Sequence, residues 1–197
     1  MLKISVDFKS FVQPGIKNEK DDFNISLVTG YQGSGKSFFT IYNTETNFRN
    51  RIIYTNIKSY WSDTHKVKYF TKLNELYFNH DIGCIFIIDE LSKKFTKDSK
   101  IDRQFYSWLQ QSRKHRRYVF MITQEYIQVP QWLRGVANTV YTTHKVPLTS
   151  IMATSYGRPV LNNETYEWDL EEISIRYYKR TKKMSSHYDT NEIIDEL

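Results

Sequence analysis

Residues 30 to 37 read Gly-Tyr-Gln-Gly-Ser-Gly-Lys-Ser, a complete GxxxxGK[ST] element. Its chemistry is phosphate binding: glycines let successive backbone N–H groups turn inward around a polyphosphate, and the following helix N-terminus adds partial positive charge. Gly30, Gln32, Gly33, Ser34, Gly35, Lys36 and Ser37 are therefore the nucleotide-binding candidates, with Lys36 reaching the β- and γ-phosphates and Ser37 holding Mg²⁺. A second element, Cys84-Ile85-Phe86-Ile87-Ile88-Asp89-Glu90, carries five apolar residues into two carboxylates. Such a short apolar run suits a central strand of a parallel sheet covered on both faces. Asp89 then emerges at the carboxyl end of the strand, where open α/β sheets bind ligands, and supplies a second contact to Mg²⁺. Glu90 is the candidate catalytic base that orients or deprotonates the attacking water. Downstream of a phosphate loop, the plainer reading of Asp-Glu as a strand end and helix cap carries little weight.

Periodicity predicts the elements that must hold these groups. A strand over Phe23–Thr29, a helix from Lys36 to about Phe48 and a strand over Arg51–Asn56 form a β–α–β order, which calls for parallel pairing. Residues 57 to 70 read as irregular, and residues 72 to 78 as a short helix with Leu73, Leu76 and Tyr77 on one face. Ser92 to Lys100 reads as an exposed loop. Asp102 caps a helix whose stripe is Phe105, Trp108, Leu109 and Ser112, with Arg113 at its edge. Tyr118 to Thr123 predicts a strand beside the Asp89 strand. Its terminal pair, Thr123-Gln124, either hydrogen-bonds the attacking water or a γ-phosphate oxygen, or simply turns the chain. Pro130 opens a short helix through Arg134 that Gly135 stops, and Asn138–His144 is a further strand.

The expected fold class is α/β: a P-loop NTPase of the RecA/ASCE-like kind, with a central parallel sheet flanked by helices and a small C-terminal β extension. Residues 1–22 form an N-terminal edge strand, Leu2 to Phe8, and a loop; 23–146 form the ATPase core; 147–197 form the β extension and tail.

Composition narrows the remaining classes. A chain of 197 residues suits one α/β domain with one core. Its formal charge of +6, clustered at Arg113–Arg117 and Tyr177–Lys183, permits a polyanionic partner without requiring one. The single cysteine, Cys84, sits in the apolar strand and reads as a small buried hydrophobe in a reducing compartment. No apolar stretch approaches the roughly 18 residues of a membrane span, and no signal-peptide layout opens the chain, so a soluble protein is expected. The five histidines show no paired ligand spacing, which argues against metals other than Mg²⁺. Tyr60, Trp61, Tyr106 and Trp108 could stack on bases of a single strand, but core or interface packing is the more frequent use of such residues.

The order of parts adds a resemblance. The phosphate loop, Tyr54-Thr55-Asn56-Ile57, Ile87-Ile88-Asp89-Glu90, Ser112-Arg113-Lys114-His115 and Met121-Ile122-Thr123-Gln124 together resemble the FtsK–HerA superfamily of DNA-pumping ATPases. Within it the chain looks most similar to the zonula occludens toxin-like proteins of filamentous phages and to viral genome-packaging ATPases. The match spans about Ser26 to Thr143, and Leu133-Arg134-Gly135 and Tyr188-Asp189-Thr190 resemble late elements of the toxin-like branch. The resemblance implies a hexameric ring in which ATP bound between subunits drives nucleic acid through a pore. It implies Gln124 as γ-phosphate sensor and Arg113 as a guanidinium facing the neighbouring nucleotide or the substrate, with Arg134 its rival. Family members often carry Arg after the sensor Gln, where this chain has Glu125. Arg116 and Arg117 are the expected DNA-phosphate contacts. The partners implied are viral DNA, further copies of the chain, and capsid or membrane portal proteins. The expected location is the virion or host cytoplasm, with a membrane vertex reached through partners. The leading expectation is an ATP-driven DNA translocase that packages a genome; the alternative is export during filamentous phage assembly, whose ATPases usually carry a transmembrane helix not found here. A nucleotide switch with little turnover is a third class, against which Glu90 argues.

Overall fold

A computed structural model describes residues 3–6, 23–48, 50–59, 61, 65–145 and 151–179. Six β-branched or aromatic runs form strands: β2 (Asn24–Thr29), β3 (Ile52–Thr55), β4 (Lys66–Tyr69), β5 (Ile85–Ile88), β6 (Tyr118–Ile122) and β7 (Thr139–Lys145). All six pair in parallel, in the order β7-β2-β6-β5-β3-β4. β8 (Ile151–Leu161) and β9 (Trp168–Lys179) continue the sheet as an antiparallel hairpin beside β7, and β1 (Lys3–Val6) joins β9 in parallel, making nine strands. The C-terminal extension is thus an outgrowth of the core sheet, continuous with it through β7.

Side chains of a strand alternate between faces, so a strand buried on both sides must be apolar throughout. In β5, Ile85 and Ile87 join one core with Phe38, Phe39 and Ile41 of helix α1 (Lys36–Asn47). Phe86 and Ile88 join the other, with Phe105, Trp108 and Leu109 of helix α2 (Arg103–Gln110) and Leu133 of helix α3 (Gln131–Arg134). As the sequence predicts, the Asp102 carboxylate caps α2, accepting from the N–H groups of Gln104 at 3.1 Å and Phe105 at 3.0 Å.

Two segments differ from the sequence reading. Residues 57 to 70 are not wholly irregular, because Lys66–Tyr69 forms the edge strand β4. An edge strand needs no continuous apolar run, and its lysines guard it against further pairing. The predicted helix at 72–78 is a single 3₁₀ turn, Leu73–Leu76, which buries Leu73 and Leu76. Tyr60, the 7–22 loop and the Tyr188-Asp189-Thr190 element lie outside the described residues. Among the described residues no helix is long and apolar enough to cross a membrane.

Candidate active site

The loop between β2 and α1 leaves the carboxyl edge of the sheet in positive-φ steps at Gly30 (143°), Gly33 (74°) and Gly35 (92°), a path that L side chains resist. Gly30 N–H donates to the Gln124 carbonyl at 2.8 Å, tying the loop to the end of β6. Helix α1 then starts with no side-chain cap and no acid in its first turn. Its leading N–H groups and dipole therefore remain available to an anion. Lys36 Nζ donates to the carbonyls of Gly30 at 2.8 Å and Tyr31 at 3.1 Å, curled over the loop that a polyphosphate would fill. Burial pushes the Lys36 ammonium below its ordinary range, and the Asp89 and Glu90 carboxylates oppose that shift.

β6 lies between β2 and β5, so Gln124 stands between the phosphate loop and Asp89. Ser37 Oγ donates to Asp89 Oδ2 at 2.7 Å, bringing both predicted Mg²⁺ contacts together in a buried position. Two hard oxygen donors with Lys36 alongside are the donor set that a magnesium triphosphate requires. Glu90 follows in the left-handed region (φ 55°), its N–H held by Asp89 Oδ1 at 2.7 Å and its Oε2 2.5 Å from Lys93 Nζ. For a residue with a side chain this conformation costs about 1 kcal/mol. It is a strained placement at the position assigned to the base.

Two of the four arginines, Arg117 and Arg134, are placed otherwise than expected. Arg113 lies in the turn before β6, at the amino edge of the strands, with its guanidinium 5.8 Å from the Phe23 ring centroid. That is the sheet edge opposite the phosphate loop, so Arg113 cannot serve the nucleotide of its own subunit. Arg116 is exposed in the same turn with φ 52°. Arg117, expected to contact DNA, is fully buried, donates to the Asn79 carbonyl and packs over Phe86 and Trp108. Arg134, the rival for a role across subunits, is also buried. It donates to the carbonyls of Val129, Ile127 and Trp168 and lies over the Tyr126 ring. Both are interior braces: each satisfies chain carbonyls and stacks on aromatics, so neither reaches a second molecule.

The family model described as Zonular occludens toxin (Zot) matches residues 63–192. The chain belongs to the Zot family. Among solved structures it is similar to the N-terminal domain of zonular occludens toxin from Neisseria meningitidis, with TM-score 0.60 and 20% identity over 84% of this chain and 98% of that one. The RadB recombinase matches with TM-score 0.54 and 13% identity over 84% and 90%. The genome packaging NTPase B204 from Sulfolobus turreted icosahedral virus 2, in complex with sulfate, matches with TM-score 0.51 and 12% identity over 77% and 97%. No curated protein matches significantly. The family match identifies a Zot-like P-loop NTPase, and these structural likenesses establish the same fold.

Three supports of this Zot-family site escaped the sequence reading. Asn56, beyond the end of β3, accepts from the Asp89 N–H at 2.8 Å and donates to the Asp89 carbonyl at 3.1 Å, clamping the backbone that carries both acids. Thr143 at the end of β7 pairs with Ser34 Oγ at 2.7 Å and donates to the Thr29 carbonyl at 3.2 Å. Met152 of β8 covers Gly35 so closely that an added Cβ would lie 1.9 Å from its terminal methyl. Asn56 was signalled by the polar Thr55-Asn56 pair at a predicted strand end and by its place in the Tyr54-Thr55-Asn56-Ile57 motif, though neither assigned it this role. Thr143 and Met152 carry no signal, because their partners are distant in sequence.

Burial pushes the Asp89 carboxyl above its ordinary range, opposed by the hydrogen bonds from Ser37 and the Glu90 N–H. The folded protein therefore holds this proton more tightly than the unfolded chain does, and stability falls as pH rises from the ordinary carboxylate range through the raised native value. Asp89→Asn removes the buried charge while keeping a group that can meet Ser37 and Glu90. At pH 8, without nucleotide, this variant should melt about 2–4 °C higher than wild type, a gain of about 1 kcal/mol. The gain should shrink on acidification. A lower melting point at pH 8 would refute the burial account.

Proposed function

We propose that the chain binds ATP with Mg²⁺, hydrolyses it, and couples the turnover to movement of phage or viral DNA within a ring of its own copies. The observation that carries this reading is the meeting of Ser37 and Asp89 at 2.7 Å beside Lys36 and Glu90, at the carboxyl edge of a parallel sheet. In this reading the loop N–H groups and Lys36 bind the phosphates, and Ser37 and Asp89 hold Mg²⁺. The ion, when bound, neutralises charge on the phosphate oxygens. Glu90 takes the proton of the attacking water, whose oxygen bonds to the γ-phosphorus as the bond to the β-phosphate oxygen breaks, and Gln124 senses the terminal phosphate. A guanidinium from a neighbouring subunit would complete the charge balance; of the two arginines considered for that role, Arg113 is exposed and Arg134 is buried.

Membership of the Zot family favours export in filamentous phage assembly over packaging as the use of the motor. Capsid or membrane portal proteins, and a membrane vertex reached through them, belong to the same reading. The test is ATP hydrolysis by the purified full chain with single- and double-stranded DNA, against Lys36→Ala. Hydrolysis stimulated by one DNA form and lowered at least about 100-fold by the substitution supports the motor. Equal rates for the two proteins would end it.

A further inference from the structure

The exposed charge is segregated along the chain. Pairing of β7 with β8 ends at Val140↔Gly157, whereas β8–β9 pairing runs on from Arg158↔Glu171 to Leu161↔Trp168, so the hairpin projects beyond the amino edge of the parallel strands. An isolated two-stranded ribbon is only marginally stable. This one is anchored beside its turn, at the Leu161↔Trp168 pair: Trp168 N–H donates to Gln131 Oε1 at 2.7 Å, and the Trp168 carbonyl accepts from Tyr126 Oη at 3.1 Å and Arg134 at 3.3 Å. Its turn is closed by Tyr166 N–H to the Asn162 carbonyl and Asn162 N–H to the Glu167 carbonyl, both 2.8 Å. The tip is therefore pre-formed, and it presents apolar surface in Tyr166 (81% exposed) and Leu161 (42%). Between Leu161 and Glu172 every charged residue is acidic: Glu164, Glu167, Asp169, Glu171 and Glu172. Glu171 is paired with Arg158, and the others leave the tip strongly negative. Such a surface repels nucleic acid.

The complementary surface follows the carboxyl end of β5. Directly after the Glu90 turn, Lys94, Lys97, Lys100 and Arg103 are exposed around Ile101, itself 53% exposed. Asp98 is the exposed acid among them, and Asp102 is engaged in capping α2. Each patch thus pairs a small apolar centre with a charged rim, of opposite sign. We propose that the acidic β8–β9 tip of one copy docks on the Lys94–Arg103 segment of the next. Donor and acceptor surfaces differ, so the contact is head-to-tail and repeats around a ring. It rests on the ring reading above and supplies that reading with an interface. Charge complementarity steers the encounter and fixes the register, while Tyr166, Leu161 and Ile101 bury apolar area.

The experiment measures self-association of the full chain by sedimentation velocity, with Mg²⁺ and a non-hydrolysable ATP analogue, at low and high salt. Wild type should associate, less strongly at high salt. Glu164→Lys with Glu167→Lys should weaken association at least about tenfold, and so should Lys97→Glu with Lys100→Glu. A mixture of the two reversed proteins should assemble again, as should one chain carrying both reversals. A monomeric wild type, unchanged association of either variant, or reversals without restoration would overturn the contact; the last outcome would assign the tip to a different, basic partner. Melting curves check that each variant is folded. Binding of a fluorescent ATP analogue should be unaltered in all of them, whereas Lys36→Ala should lose it. Failure of the contact is thereby distinguished from failure of the ATPase reading.

Discussion

Replacing Glu90 with Gln should lower ATP turnover by about a thousandfold while nucleotide binding stays close to wild type. The side chains are nearly the same shape, and the backbone features of the position do not depend on the charge: the N–H still reaches Asp89 Oδ1, and Asn56 still clamps Asp89 on both sides. The lost pairing with Lys93 is half-exposed and contributes little to stability. Only the capacity to accept a proton disappears. Single-turnover hydrolysis, binding of a fluorescent ATP analogue and thermal melting separate the three effects. A Gln variant that hydrolyses within about tenfold of wild type would remove Glu90 from the role of base.

Gly30→Ala should destabilise the fold by about 3 kcal/mol, a fall of about 10 °C in Tm, and should abolish nucleotide binding. Gly30 holds φ at 143°, and a Cβ there would lie 2.5 Å from the Thr143 carbonyl oxygen and from Ser34 Oγ. The carbonyl belongs to β7 and the Gly30 N–H is tied to Gln124, so neither side of the loop can give way cheaply. Gly33→Ala is the internal control. At φ 74°, with nothing within 4 Å of an added Cβ, it meets only backbone strain and should cost about 1 kcal/mol. Equal melting shifts for the two variants would contradict the steric account.

The central fold was legible where the pattern is local. The Cys84–Ile88 run announced a strand buried on both faces, and β5 lies between β6 and β3 with Asp89 at its carboxyl end. Asp102, Pro130 and Gly135 marked helix ends through side-chain and backbone chemistry that acts within a few residues. β4 was not legible, because Lys66-Val67-Lys68-Tyr69 becomes a strand only through its pairing with β3 at a half-solvated edge. Nor was the continuation of the core sheet into β8 and β9, whose alternating pattern suits any hairpin, attached or separate.

The arginines mark the same boundary within the site. Arg113, Arg116 and Arg117 look alike in a basic run, yet the first two are exposed and the third is enclosed by the Asn79 carbonyl, Phe86 and Trp108. Spacing alone determined that this chain has a loop able to cradle a polyphosphate and a strand that ends in two carboxylates, because each requirement is met by neighbouring residues; the sheet order brings the two together. Tertiary structure alone decided which of these arginines are exposed and which is enclosed, and how Asn56, Thr143 and Met152 brace the loop and the acids. Burial and hydrogen-bond satisfaction are properties of contacts between segments distant in sequence, and no local pattern encodes them.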